Sequence, residues 1–314
     1  MGLMTRRDIF RIASPLLAGT RSLRGGACQS TLDPRTAKEY DAYLKTAREV
    51  EEQPLGSQLP ERVPDDERAA ATAALDKNEI YVWNLHKHQP HGALRVYKGV
   101  IVDWMGAFRI PGVSVETLEN ILQQYDSYKN WYKPYVFDCY ARPIAGPGFK
   151  NFAVTSILHD ILEKPAPLVP DQHFSFEVMA ESNYFWKNRG DRRTLVIRTH
   201  ATSIREASSG HPEHADSRAA NDLLPPGHGQ GVLWRSDTWW RATGIGPDLY
   251  AEYESLSLAR SLDAVEFFSL CSVLRLPGIR GKAFESMTVR PRKTVTAVVA
   301  STRTACEQAG RKHA

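Results

Sequence analysis

Cysteine is scarce and scattered in this 314-residue chain: Cys28, Cys139, Cys271 and Cys306 stand far apart, and no two form C-x-x-C. That spacing excludes a local zinc or dithiol motif, and four isolated cysteines read as small buried residues rather than a disulfide frame. Long apolar runs are missing too, since no stretch reaches the roughly 18–20 residues that a membrane span requires. The G-x-S-x-G elbow, the P-loop and H-E-x-x-H are all absent. Gly244-Ile245-Gly246 lacks a third glycine and precedes a strand pattern, so it is no dinucleotide loop. A basic domain is also missing. The net charge of +4 sits in the first thirty residues, which hold Arg6, Arg7, Arg11, Arg21 and Arg24 against Asp8, and the remainder balances to zero. Nucleic-acid binding needs a basic face on the folded domain, so it is not expected.

What is present is ordinary for a globular protein, with 42% hydrophobic and 24% charged residues. Residues 1–30 form a segment apart. Thr5-Arg6-Arg7-Asp8-Ile9-Phe10-Arg11 resembles a twin-arginine export signal. The apolar stretch behind it is short, holds Pro15 and is interrupted by Arg21 and Arg24. Export to the periplasm and a disordered basic tail on a cytoplasmic protein both stand as readings. Residues 31–78 read as a helical extension and linker. Asp33-Pro34 offers a cap and a first-turn proline for a helix over 33–53, with Tyr40, Tyr43, Leu44, Ala47 and Val50 as its thin apolar stripe. Pro54, Gly56, Pro60 and Pro64 mark the linker, and a second helix is expected from Asp65 to Leu75. So few large apolar residues cannot sustain a separate core, so both helices should pack on the outside of the main domain, 79–310.

That domain is organised around residues 97–136. Val100, Val102, Trp104, Gly106, Phe108 and Ile110 alternate with positions that carry Asp103 and Arg109, which predicts a strand with one buried and one partly wet face. Pro111-Gly112 ends it. Ser114 then caps a helix with Val115, Leu118, Ile121, Leu122 and Tyr125 at helical spacing, and Tyr128, Trp131 and Tyr132 extend the stripe to Pro134. Strands follow over 137–141, 150–158, 173–181, 184–186 and 194–203, then a loop over 207–229. Residues 231–241 and 249–260 read as a hairpin joined at 244–248. A short helix is expected over 263–276. Pro291 is expected to open the last helix, on which Val295, Val298, Val299, Thr302, Ala305 and Cys306 form one stripe.

The wording W-M-G-A-F-R-I-P-G followed by Y-D-S-Y-K-x-x-Y-K-P-x-V, with L-W-R-x-x-x-x-W-R and Y-x-E-Y-E-x-x-S-L-x-R later, resembles an uncharacterised bacterial branch of the START-like (SRPBCC, helix-grip or Bet v1-like) superfamily. The resemblance covers roughly Tyr97 to Ala309. It implies an α+β helix-grip fold: a curved antiparallel β-sheet wrapped around a long C-terminal helix, here with an N-terminal helical extension. It also implies a cavity between sheet and helix for a hydrophobic small molecule. On that reading the chain is a non-enzymatic binder or carrier of a lipid-like or polyketide-like compound, with no cofactor and no protein partner named. Trp104, Phe108, Tyr125, Tyr128, Trp131, Trp234 and Trp240 are the candidate cavity lining, because aromatic walls bury apolar ligands well.

Two alternatives stay open. One is an enzyme resembling the polyketide cyclases and dehydratases of the same superfamily, with Glu252, Glu254, Arg235 or His200 acting inside the cavity. Glu252 and Glu254 lie two apart on one strand face, and Arg235 meets one of them only if the hairpin register allows. The other is a structural or interaction module that docks through the N-terminal helices. The histidines of the H-K-H-Q-P-H run (His86, His88, His91) and of the long loop (His211, His214, His228) read as exposed turns rather than metal ligands, since no companion acid or cysteine follows at ligand spacing.

Overall fold

Strand after strand pairs antiparallel with its neighbour in one nine-stranded sheet. The computed structural model describes residues 30–52, 62–144, 150–162, 172–189, 192–218, 222–260 and 279–313. The export-like segment, the expected helix over 263–276, Cys28 and Cys271 lie outside them.

The strands are β1 (Ser30–Thr31), β2 (Tyr81–Asn84), β3 (Leu94–Val96), β4 (Gly99–Ile110), β5 (Val136–Ile144), β6 (Lys150–Leu162), β7 (Gln172–Arg189), β8 (Arg192–Glu206), β9 (His228–Gly229), β10 (Arg235–Ile245) and β11 (Asp248–Arg260). The large sheet runs β2-β4-β11-β10-β8-β7-β6-β5, with β3 also on β4. The two candidate strands over 173–181 and 184–186 are one continuous strand, β7. The hairpin over 231–260 turns more tightly than expected: Ile245 faces Asp248 across two residues, and Gly246 supplies the positive φ of +58° that such a turn needs.

The helices are α1 (Pro34–Glu52), α2 (Arg68–Asp76), α3 (Val115–Leu122), α4 (Tyr128–Trp131) and α5 (Ile279–His313). Ser114 caps α3 by accepting from the Thr117 amide, as its position in the sequence suggests. α5 corrects the expected start at Pro291: it begins at Ile279 and carries Pro291 inside. Proline deletes one backbone hydrogen bond there without ending the helix.

α5 packs on one face of the sheet, the inner face, against β4, β11 and β2, and on α3. Val295, Val299, Thr302 and Cys306 of its stripe are fully buried, and Ala305 nearly so. Close approach depends on Gly106 in β4. A Cβ there would stand 2.9 Å from Val299 Cγ2 and 3.2 Å from Val295 Cγ1. The inner face continues through Phe108, Ala251, Tyr253, Trp240, Ala242, Ile197, Leu195, Tyr184 and Val154, all in the central apolar cluster with α3 and α5.

The opposite, outer face is not wet, and this corrects the expectation for β4. Asp103, Met105 and Ala107 are as buried as Val102 and Phe108, because α1 and α2 lie over that side. Tyr40 and Leu44 of α1 pack with Ile101, Trp239, Leu256 and Leu258. Ala71 and Leu75 of α2 pack with Trp83, Met105, Ala107 and Tyr250. Both helices share buried clusters with the sheet on this face.

Candidate functional site

The aromatic candidates divide by face. Phe108, Tyr125 and Trp240 are buried in the central cluster, and Trp104, Tyr128 and Trp131 are half-buried against it. Trp240 meets Tyr253 at a tilt of 37° with ring centroids 4.7 Å apart, and Phe108 meets Trp240 edge-on at 6.3 Å. Trp234 is the exception. It packs with Tyr40, Trp239 and Leu258 under α1, so it is removed from the candidate lining. The reason is position: Trp234 precedes β10, so it does not follow the alternation that turns Trp240 inward.

Hydroxyls thread this inner cluster. Tyr125 and Tyr184 share a hydrogen bond of 2.8 Å, and Tyr184 donates to the Leu122 carbonyl at 2.9 Å. Tyr128 donates to the same carbonyl at 2.6 Å. Leu122 ends α3, where carbonyls lack partners within the helix, so two tyrosines cap it. Tyr132 shares a bond of 2.8 Å with Thr302 of α5. Burial pushes the Tyr125 phenol up to about 12 and the Tyr184 phenol further, so these groups are neutral hydrogen-bonding hydroxyls, not acids or bases. The Cys139 and Cys306 thiols are free, buried and pushed up to about 12 by desolvation, which removes them as nucleophiles.

A groove of about 630 Å³ opens at one end of this cluster. It is bounded by the start of α3 (Val113 to Glu116), the β10–β11 turn (Gly244 to Asp248), Trp186 and Arg193. Val113 and Val115 belong to the central apolar cluster, and Trp186 packs on it. Gly310 near the end of α5 lies against Val113. Arg193 stacks over Trp186 at 4.0 Å and stands 3.9 Å from Glu116. Asp248 is held by Arg109 (2.6 Å) and the Gly112 amide (3.2 Å), and the guanidinium holds its carboxyl below the usual range. The groove is therefore mixed, with an apolar wall at Val113, Val115 and Trp186 and a charged one at Glu116, Arg193 and Asp248. It lies at the rim of the sheet beside the end of α5, and the expected space directly beneath that helix is crossed at Gly106 by valines.

The residues named for catalysis lie on the outer face, away from the groove. Glu252 faces Arg241 across the hairpin, is ion-paired with it, and accepts from the Tyr250 hydroxyl at 2.5 Å. Glu254 is ion-paired with Arg62, from the segment before α2. Arg235 faces Leu258 and meets neither glutamate in register. His200 shares a bond of 2.7 Å with Asp237, which also accepts from Tyr40 at 2.8 Å. Tyr43 donates to Asp103 at 2.8 Å. Burial, then the Asp103 charge, pushes the Glu254 carboxyl up to about 7, with Arg62 opposing. Both carboxylates are buried, each in its own ion pair, Glu252 with Arg241 and Glu254 with Arg62.

The fold built this way is the helix-grip arrangement, α+β, with the N-terminal helices added on the outer face. No protein-family profile matches the chain, and no curated protein does. Among solved structures it is similar to human STARD10, at 13% identity over 80% of this chain and 84% of that one, with a TM-score of 0.35. It is similar to the STAR-related lipid transfer protein of Xanthomonas axonopodis (11%, 67% and 97%, TM-score 0.33). It is also similar to the Zhui aromatase/cyclase of Streptomyces sp. R1128 (10%, 66% and 94%, TM-score 0.35). These are the START and aromatase/cyclase structures that the sequence resemblance pointed to, and likenesses of this size carry no inference about what the chain binds.

Proposed function

We propose that the chain binds a hydrophobic small molecule without transforming it, with the apolar part in the groove against Val113, Val115 and Trp186 and the polar end at Arg193, Glu116 and Asp248. The supporting observation is an opening of ligand size, since pockets run to about 300–1,000 Å³, with one wall, Val113, Val115 and Trp186, continuous with the central apolar cluster and the other charged. The hydroxyls of that cluster are neutral and mutually bonded, which suits orientation rather than acid–base chemistry. The residues of the cyclase reading lie on the other face, where Glu252 pairs with Arg241, Glu254 with Arg62 and His200 with Asp237.

Gly244 gives a clean test, because a Cβ there meets nothing within 4 Å and the fold has no reason to suffer. Saturable uptake of a fluorescent fatty acid by the purified chain is expected, and Gly244→Trp should weaken it at least tenfold at unchanged thermal stability. Absence of saturable uptake, or uptake indifferent to Gly244→Trp, overturns the assignment to this groove.

A further inference from the structure

Four histidines meet at the far end of the β6–β7 pair, and only two belong to the long loop. His159 (β6) and His173 (β7) stack at 5.4 Å; His173 and His211 stack at 6.3 Å with planes 19° apart; His211 and His214 follow at 6.1 Å. The first pair carries the argument. Ser175 is fully buried, and its hydroxyl donates to the Gly210 carbonyl at 2.8 Å. Its one proton is spent there, so it accepts from His159 Nδ1, 2.9 Å away. That assigns the Nδ1–H tautomer to His159 and leaves a lone pair on Nε2. Nε2 lies 3.4 Å from His173 Nδ1.

Two imidazole nitrogens on one tetrahedral zinc, at about 2.0–2.1 Å each, stand about 3.3–3.4 Å apart. The pair therefore already has the edge length of a tetrahedral site, with one ring oriented from behind by a buried hydroxyl as metal-bound histidines usually are.

We infer that His159 Nε2 and His173 Nδ1 form a binding site for a zinc-like transition-metal ion, completed by His211 and water. Among the described residues no three donors already converge, so His211 must turn. Its side chain is 58% exposed, with Glu213 3.8 Å away. Metal would displace the proton between the two rings and fasten the loop after β8 to the ends of β6 and β7. Ser175 is a positioning residue here.

The untagged full chain, stripped with chelator, is titrated with zinc by calorimetry. One site per chain is expected. Replacing exposed His173 (H173A) should weaken it at least tenfold, and Ser175→Ala should weaken it severalfold while His88→Ala does nothing. Cobalt(II) should give the visible bands of tetrahedral nitrogen ligation, lost in H173A. No zinc binding in the native chain, or binding that survives H173A, overturns the site. Fatty-acid uptake is unaffected by either outcome, since the groove uses other residues.

Discussion

The two faces of the sheet are built from alternate residues of the same strands, both are buried, and they are filled by different chemistry. The inner face under α5 holds aliphatic side chains, aromatic rings and hydroxyls. The outer face under α1 and α2 holds Asp103, Asp237, Arg241, Glu252 and Glu254. Hydroxyls left without partners cost about 1–3 kcal/mol, whereas a buried charge stripped of its partner costs about 3–5. The outer face thus depends on what covers it, and the cover is the N-terminal extension, which brings Tyr40, Tyr43, Arg48 and Arg62. The inner face has ion pairs too, Asp160 with Arg290 of α5 and Glu119 with Lys150, but its central cluster is built of apolar and hydroxyl-bearing side chains.

The largest expected effect follows from removing that cover. Deleting residues 1–62 exposes Trp239, Leu256 and Leu258 and takes Tyr40 from Asp237, Tyr43 from Asp103 and Arg62 from Glu254, so the truncated chain should aggregate or lose its cooperative melt. A soluble monomer with unchanged melting would dissolve the contrast between the faces. Next comes Arg241→Met, which leaves Glu252 buried with only the Tyr250 hydroxyl; a loss of about 3–5 kcal/mol in urea unfolding is expected. The inner counterpart, Tyr184→Phe, removes bonds to Tyr125 and Leu122 and should cost about 1–2 kcal/mol by the same method. A larger loss than Arg241→Met would reverse the ranking.

The smallest effect depends on pH. Burial pushes the Glu206 carboxyl up from 4.5 to about 7, against one bond from the Gln230 amide. The fold favours its neutral form, so its stabilising share is complete below about pH 4.5 and is lost as pH rises through about 7. Glu206→Gln should therefore gain about 1 kcal/mol at pH 8 and nothing at pH 4.5, measured as unfolding free energy at both.

Much of the frame was legible in the chain. The stripe from Val295 to Cys306 and the alternation from Val100 to Ile110 are periodic signals that each element states alone. The outer ionic layer was not, because the charges of β4 and β11 read as a solvated face until the position of α1 is known. Arg62 sits in a linker with no pattern to mark it. Arg235, the sequence candidate, lost its place to Arg241 through register, which the residues between them do not fix. His159 and His173 are fourteen positions apart and meet only because β6 and β7 pair. Trp234 was assigned to the wrong face because it precedes β10 rather than lying in it. The rim groove is assembled from the start of α3, the ends of β7 and β8 and the β10–β11 turn, which only the fold brings together.

Gly106 gives the molecule an adjustable spacer. The bare backbone at that point sets how near the gripped helix rides, so a series from alanine through serine to valine would jack α5 away by graded increments. The hollow could then be widened or narrowed from a position that no ligand touches.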